Sequence, residues 1–323
     1  MKLKKIASLL LALVIVLAGV STLASCSKEE SYTVGVIQLV THDALDAATN
    51  GFVQALKDKL GEENVEIDVQ NAAGSTETCA TIAQTFATKN YDLIMANATP
   101  ALQAAYSATT TIPILGTSVT EYGVALGIQN FTGTVGGNVS GTSDLANLDN
   151  QAQMILDLVP GVKKVGMLYC SAEANSRYQV QKVTEYLSAR GVSCANYEFN
   201  DSNDVATVTQ KAAAECGAIY IPTDNTAASC AEAIYGQTGQ IPVIAGEAGI
   251  CSGCGIATLS ISYYDLGYKT GEMAAQILKG EADISTMPIA YAPAETKKYN
   301  PAICADLGIS AAEMEAKGYV PLS

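Results

Sequence analysis

The feature that most constrains this chain is a strand–helix alternation that runs its course and then starts again. Thr33-Val34-Gly35-Val36-Ile37-Gln38-Leu39 is short, β-branched and almost wholly apolar, the pattern of a strand buried on both faces. A helix follows from about Asp43, with Leu45, Ala48, Phe52, Leu56 and Leu60 spaced three and four apart and Gly61 as its stop. Residues 65–69 alternate as a strand, 76–88 read as a helix and 92–96 as a third strand. Thr99-Pro100 opens a helix with Thr99 as N-cap and Pro100 at the first helical position, and 112–116 is a fourth strand. Val165-Gly166-Met167-Leu168-Tyr169 then echoes Val34-Gly35-Val36-Ile37-Gln38, 131 residues on. A helix over 175–189, a strand over 192–199, a helix over 202–215, a strand over 218–222, a helix near Asn225 and a strand over 241–245 repeat the plan. Repeated β-α-β-α demands parallel sheets with helices on both faces. The predicted fold is therefore α/β, with two doubly wound parallel-sheet lobes joined by a hinge.

The Gly-, Ser-, Thr- and Asn-rich stretch 132–143 is read as the crossover or hinge. The helix at 265–279 comes after both lobes have begun and is expected to return to the first, with the tail returning to the second. The expected division is 33–143 plus about 262–290 for lobe 1, and 144–261 plus about 291–323 for lobe 2.

The N-terminus carries a different signal. Met1-Lys2-Leu3-Lys4-Lys5 is basic and an apolar run follows from Ile6 to Val20, too short to be a convincing membrane span. Leu23-Ala24-Ser25-Cys26 resembles a bacterial lipobox. The resemblance implies that residues 1–25 are an export signal and that Cys26 becomes a lipidated N-terminus, tethered through residues 26–32. The body is then extracytoplasmic, on the outer face of the cytoplasmic membrane, and touches the membrane through its anchor only.

Charge narrows the partners. The chain holds 18 Lys+Arg against 32 Asp+Glu, a net −14, which leaves no basic footprint for nucleic acid. One His rules out a His-rich metal site; no metal and no cofactor is expected. There is no G-x-S-x-G elbow and no P-loop, so the chain does not read as an enzyme. Absence of Trp and only four Phe weaken a sugar-sandwich reading.

In open α/β sheets, ligands sit beyond the carboxyl ends of the strands, where helix N-termini offer free N–H groups. The residues after each strand are Thr41-His42-Asp43, Asn97-Ala98-Thr99, Thr117-Ser118, Ser171 through Ser176, Thr223-Asp224-Asn225 and Gly246-Glu247. Hydroxyls and amides dominate, suited to hydrogen-bonded recognition of a small polar solute between the lobes.

Several of these segments carry a specific likeness. Ile37 through Asp46, Ala98-Thr99-Pro100-Ala101, Gly137 through Leu145, Leu168 through Ser176, Ile221 through Thr226 and Tyr263-Tyr264-Asp265-Leu266-Gly267 occur in order, and the likeness spans residues 33 to about 310. Together they resemble the ABC-transporter substrate-binding lipoproteins of the tryptophan/tyrosine-binding type. The resemblance implies a type I periplasmic-binding-protein fold and a monomer that closes around an aromatic amino acid (tyrosine, tryptophan or phenylalanine) and delivers it to an ABC permease.

Roles follow from the chemistry of an amino acid. Its carboxylate needs donors, for which Thr99 and Ser118 of the first lobe and Asn175 and Ser176 of the second are candidates. Its ammonium needs a buried acceptor: Asp224 first, Asp144 second. Asn225 orients either group, Glu247 stands at a strand end, and Gln38, Leu39 and His42 lie at the correct end of the first strand for the side-chain pocket. Capping alone competes for Thr99, Ser118, Asn175 and Asp224. Tyr263 and Tyr264 are read as lobe packing. Excluding Cys26, eight cysteines remain; Cys251-Ser252-Gly253-Cys254 is read as lying between two strands, as a loop disulfide or as reduced thiols. A surface interaction protein, adhesin or sensor, built on the same fold is the alternative function.

Overall fold

The computed structural model describes residues 31–292 and 294–322. The expected export signal, Cys26 and the expected tether up to residue 30 lie outside the described residues.

The first run of elements is β1 (Tyr32–Gln38), α1 (Asp43–Leu60), β2 (Val65–Asn71), α2 (Thr76–Thr88), β3 (Leu93–Asn97), α3 (Thr99–Ala108), β4 (Ile114–Val119), α4 (Tyr122–Leu126) and β5 (Val139–Ser143). The second is α5 (Leu148–Leu158), β6 (Lys164–Cys170), α6 (Ala174–Ser188), β7 (Ser193–Phe199), α7 (Val205–Glu215), β8 (Ala218–Ile221), α8 (Asn225–Ser229), α9 (Ala231–Thr238), β9 (Val243–Ala245), α10 (Ala248–Cys254) and β10 (Ala257–Ser260). The chain ends with α11 (Tyr263–Leu278), β11 (Ala290–Tyr291), β12 (Thr296–Tyr299), α12 (Pro301–Asp306), α13 (Ala311–Ala316) and β13 (Val320–Pro321).

Two sheets result. One runs β11-β5-β4-β3-β1-β2, parallel throughout; the other runs β13-β12-β10-β9-β8-β6-β7, parallel but for the β10–β12 pair. Alternate residues along each strand feed two different layers. Val34 and Val36 pack with Phe52, Leu56 and Met273 on one side of the first sheet, while Ile37, Ile94 and Ile114 pack with Phe86, Leu102 and Tyr122 on the other. The second sheet does the same, with Val165 and Met167 against Ile155 and Val183, and Leu168 and Ile219 against Phe199 and Ile234.

The late helix α11 lies against α1. A Cβ at Gly51 would collide with the Tyr264 carbonyl, and one at Gly267 with the Ala48 carbonyl, so both glycines permit the close approach of the two helices. The chain crosses between the sheets at 144–147, at 261–262 and between β11 and β12. Side chains tie these crossings together: Tyr263 Oη donates to Asp144 Oδ2 at 2.9 Å, and Asn147 N donates to Glu295 Oε1 at 2.6 Å.

Three local expectations need correction. Residues 139–143 of the expected crossover form β5, paired between β11 and β4 of a parallel sheet. Val-Ser-Gly-Thr-Ser shows no apolar run, yet all five residues are buried because Gly141 (φ 145°) lies beneath the Tyr122 hydroxyl, which donates to Thr142 O at 3.0 Å. The N-cap of α3 is Ala98, at φ 97°, and Thr99 is already helical. Cys251 and Cys254 belong to α10 rather than a loop; all eight described cysteines are free thiols, so the loop-disulfide alternative fails.

Candidate functional site

The register of the first sheet sets Gln38 beside Asn97 and Asn97 beside Thr117 at the carboxyl edge. Gln38 is consumed within its own lobe: its amide donates to Val40 O and Asp46 Oδ1, and it accepts from Thr49 Oγ1 at 2.6 Å. Leu39 is core. Asn97 is different. Its Nδ2 is fixed by Leu45 O at 2.8 Å and Thr49 Oγ1 at 2.9 Å, which leaves Oδ1 buried with no partner. Thr99 is buried in the first turn of α3, and Ser118 buries a hydroxyl that has no partner. Ser118 sits where the β4–β5 register shifts, at φ 54°, and Ala98 sits at φ 97° after β3. Left-handed backbone at two non-glycine strand ends is strain that surrounding structure must sustain, and it gathers where function does.

In the second lobe a buried carboxylate that the sequence reasoning did not single out, Glu173, organises the edge. Glu173 Oε1 accepts from Thr226 N and Oγ1, both at 2.9 Å. Glu173 Oε2 accepts from Asn225 N at 3.0 Å, Asn225 Nδ2 at 2.7 Å and Asn175 Nδ2 at 3.2 Å. Asn175 Nδ2 also donates to Thr223 O at 2.9 Å, and its Oδ1 is buried without a partner. The only advance signal for Glu173 is its place just ahead of a helix that starts after a strand.

Asp224 is the N-cap of α8, accepting from Ala227 N at 2.8 Å. Its other oxygen accepts from Cys170 N at 2.8 Å and Ser176 Oγ at 2.7 Å, which also accounts for the Ser176 hydroxyl. Burial first, and the charge of Glu173 second, push the Asp224 carboxyl well above the usual carboxylate range. Glu247 is likewise an N-cap, accepting from Gly249 N at 2.6 Å and Ile250 N at 2.5 Å. Burial raises its pKa and the nearby His42 opposes the rise.

The lobes meet across this edge. His42 Nε2 lies 3.4 Å from Asn225 Oδ1 of the opposite lobe, while its Nδ1 is buried and unpartnered. At the crossover, Asp144 holds Tyr263 through Oδ2 and leaves Oδ1 buried and bare; burial pushes its carboxyl up to about 6 against the pull of the Tyr263 hydroxyl. Tyr263, read as packing, is thus also a polar member of the interface. A groove of about 380 Å³ runs between Leu39 and Pro100 of the first lobe and Cys170, Glu173 and Thr226 of the second.

Nine buried side-chain polar atoms lack partners among the described residues. Five of them, on His42, Asn97, Ser118, Asp144 and Asn175, lie at or just after strand carboxyl ends; those on Asn64, Thr184, Thr258 and Tyr319 do not. Buried polar groups left unpaired cost about 1–3 kcal/mol each, so a cluster of them marks where another molecule supplies the partners. Among the described residues, no group of three or more His, Cys, Asp or Glu is placed to hold a metal, and no helix is long and apolar enough to cross a membrane.

Known proteins share this arrangement. The chain is 35% identical over 307 residues to a tyrosine-binding protein of Clostridioides difficile, covering 89% of this chain and 88% of the relative. The structure of an ABC domain in complex with L-Trp from Streptococcus pneumonia superposes with a TM-score of 0.84 at 29% identity, over 90% of this chain and 100% of that one. The ligand-free, open structure of a substrate-binding protein with adhesive properties from Clostridium difficile gives 0.67 at 38% identity, again over 90% and 100%. The more similar sequence is the less similar structure. This chain superposes better on the tryptophan complex than on the ligand-free, open structure. Residues 33–316 match the ABC transporter substrate binding protein family, and the chain belongs to that family.

Proposed function

We propose that the protein is an extracytoplasmic receptor of an ABC importer that binds an aromatic amino acid between its lobes and hands it to a membrane permease. The observation that carries this reading is the set of unpartnered polar atoms at the carboxyl edges of both sheets. Acceptors dominate it: Oδ1 of Asn97, Asn175 and Asp144, beside the Ser118 hydroxyl. Acceptors drawn from both lobes and the crossover suit an ammonium group, which offers three N–H donors and no acceptor.

The ammonium role passes from Asp224, whose carboxylate already takes three donors, to Asp144. The carboxylate falls to Ser118, Thr99 and the free N–H groups that open α3 and α6. Leu39 and Pro100 provide apolar wall, and the cross-cleft contact of His42 with Asn225 helps hold the lobes shut. The tyrosine- and tryptophan-binding relatives support an aromatic side chain. Cys26, within its lipobox-like sequence, would carry the anchor. Isothermal titration of protein freed of carried-over ligand, against the twenty amino acids, tests the function. Saturable one-to-one binding of at least one aromatic amino acid is expected, and no binding by any of the twenty would sink the proposal.

The relative with adhesive properties favours a second reading, in which the same two-lobed body serves as an adhesin. Cell-attachment assays with and without bound amino acid separate the two.

A further inference from the structure

We infer that Glu173 is a positioning residue that fixes which atoms of two asparagines face the cleft, and so makes the site selective for an amine-bearing ligand. The inference rests on the amino-acid reading above and deepens it. A primary amide can present its oxygen or its NH2 group, and which one it presents is set by what holds the other end. Here a single oxygen, Glu173 Oε2, takes the NH2 groups of both Asn225, at 2.7 Å, and Asn175, at 3.2 Å, sharing the second with Thr223 O at 2.9 Å. Both Oδ1 atoms therefore point away from Glu173. That of Asn225 reaches His42 of the other lobe at 3.4 Å, and that of Asn175 is buried with nothing to accept from. Glu173 is only 3% exposed and is held in turn by three further donors: Asn225 N, Thr226 N and Thr226 Oγ1. One carboxylate thus sets an acceptor for the ligand and an acceptor for closure. If the amides turned over, the cleft would offer donors, which repel an ammonium.

Glu173→Ala is the test. Glu173 lines the inter-lobe groove, so water can enter the vacated space and satisfy the backbone N–H groups, while the Asn225 amide loses its hold and the Asn175 amide keeps Thr223 O alone. Titrations use L-tyrosine and 3-(4-hydroxyphenyl)propanoate, the same molecule without its amine. Glu173→Ala is expected to weaken L-tyrosine binding about tenfold or more and to leave the weaker binding of the analogue unchanged. Adding Asn175→Asp, whose side chain is an acceptor in either orientation, should restore the preference for the amine. Equal weakening of both ligands, an unchanged preference, or failure of the second substitution to restore it would overturn the assignment. If Glu173→Ala does not fold, Asn175→Leu decides. It removes the acceptor together with the donor to Glu173 and Thr223 O, leaves Glu173 its other donors, and must weaken L-tyrosine selectively; an unchanged preference would overturn the assignment as well. Absence of aromatic amino-acid binding by the wild type would overturn the receptor reading and this inference with it.

Discussion

Asp144→Asn removes a carboxyl that we expect to titrate as ligand enters. In the unliganded protein this carboxyl is raised from an ordinary 3.8 to about 6, chiefly by burial, with the Tyr263 hydroxyl opposing and the charge of Glu247 adding. An ammonium on the bare Oδ1 pulls the value back down, because an opposite charge favours the ionised form. At pH 7 the free site is already mostly ionised and binding costs no proton. At pH 5 the site is about nine-tenths protonated and must lose its proton on binding, which weakens affinity about tenfold, or about 1.4 kcal/mol. Isothermal titration at pH 5, 6 and 7, in two buffers with different heats of ionisation, reads both quantities. At pH 6 about half a proton should leave per ligand bound.

The same shift has a stability sign. A carboxyl whose folded value is raised stabilises the fold below its unfolded value, and that contribution is lost as pH rises through about 6. At pH 7 the buried charge costs the unliganded protein about 3 kcal/mol. Asp144→Asn should therefore raise the melting temperature of unliganded protein at pH 7 while it weakens ligand binding and flattens the pH profile. The difference between wild type and variant isolates Asp144 from His42, whose imidazole also faces the cleft. A wild-type affinity that does not change between pH 5 and 7, or a pH profile that Asp144→Asn leaves intact, would refute the reasoning.

Other outcomes follow from the packing. Asp224→Ala strands the buried N–H groups of Cys170 and Ala227 and should lower unfolding stability by about 3 kcal/mol or more in a denaturant titration. Gly267→Ala sets a methyl against the Ala48 backbone and should cost about 1–3 kcal/mol, seen by calorimetry, through the seam between α1 and α11. Native alkylation followed by mass spectrometry should label only the half-buried Cys194 and Cys230, with the other six described thiols reacting after denaturation. Burial pushes the thiols of Cys79, Cys170 and Cys304 up to about 11, which keeps them protonated and unreactive at neutral pH. Disulfide-linked peptides would contradict this.

The alternation of strands and helices was legible because parallel strands buried on both faces leave continuous apolar runs, as at 33–39 and 165–169. β5 was not, because its burial comes from the seating of Tyr122 over Gly141, a contact with no signature in Val-Ser-Gly-Thr-Ser. The helical placement of Cys251 was hidden by the shortness of α10, which begins directly on the Glu247 cap. At the site, strand ends pointed to the right segments, since the parallel strands of each sheet send their carboxyl ends to one edge. What each side chain does there was not legible. Gln38 and Asp224 look as polar in sequence as Asn97 and Asp144, yet the first two are used up within their own lobes. Only the hydrogen-bond partners separate a scaffold residue from one that keeps an atom free. Glu173 was passed over for the same reason: its importance lies in the donors that converge on it from two helix starts.

The position of the ligand's amine is the decisive observation. A crystal structure grown from protein that has kept its ligand measures this directly. An aromatic amino acid is expected between the lobes, its amine about 3 Å from Asp144 Oδ1 and Asn175 Oδ1. Electron density showing the ligand elsewhere, or those two oxygens bonded to water while the amine rests on Asp224, would contradict it.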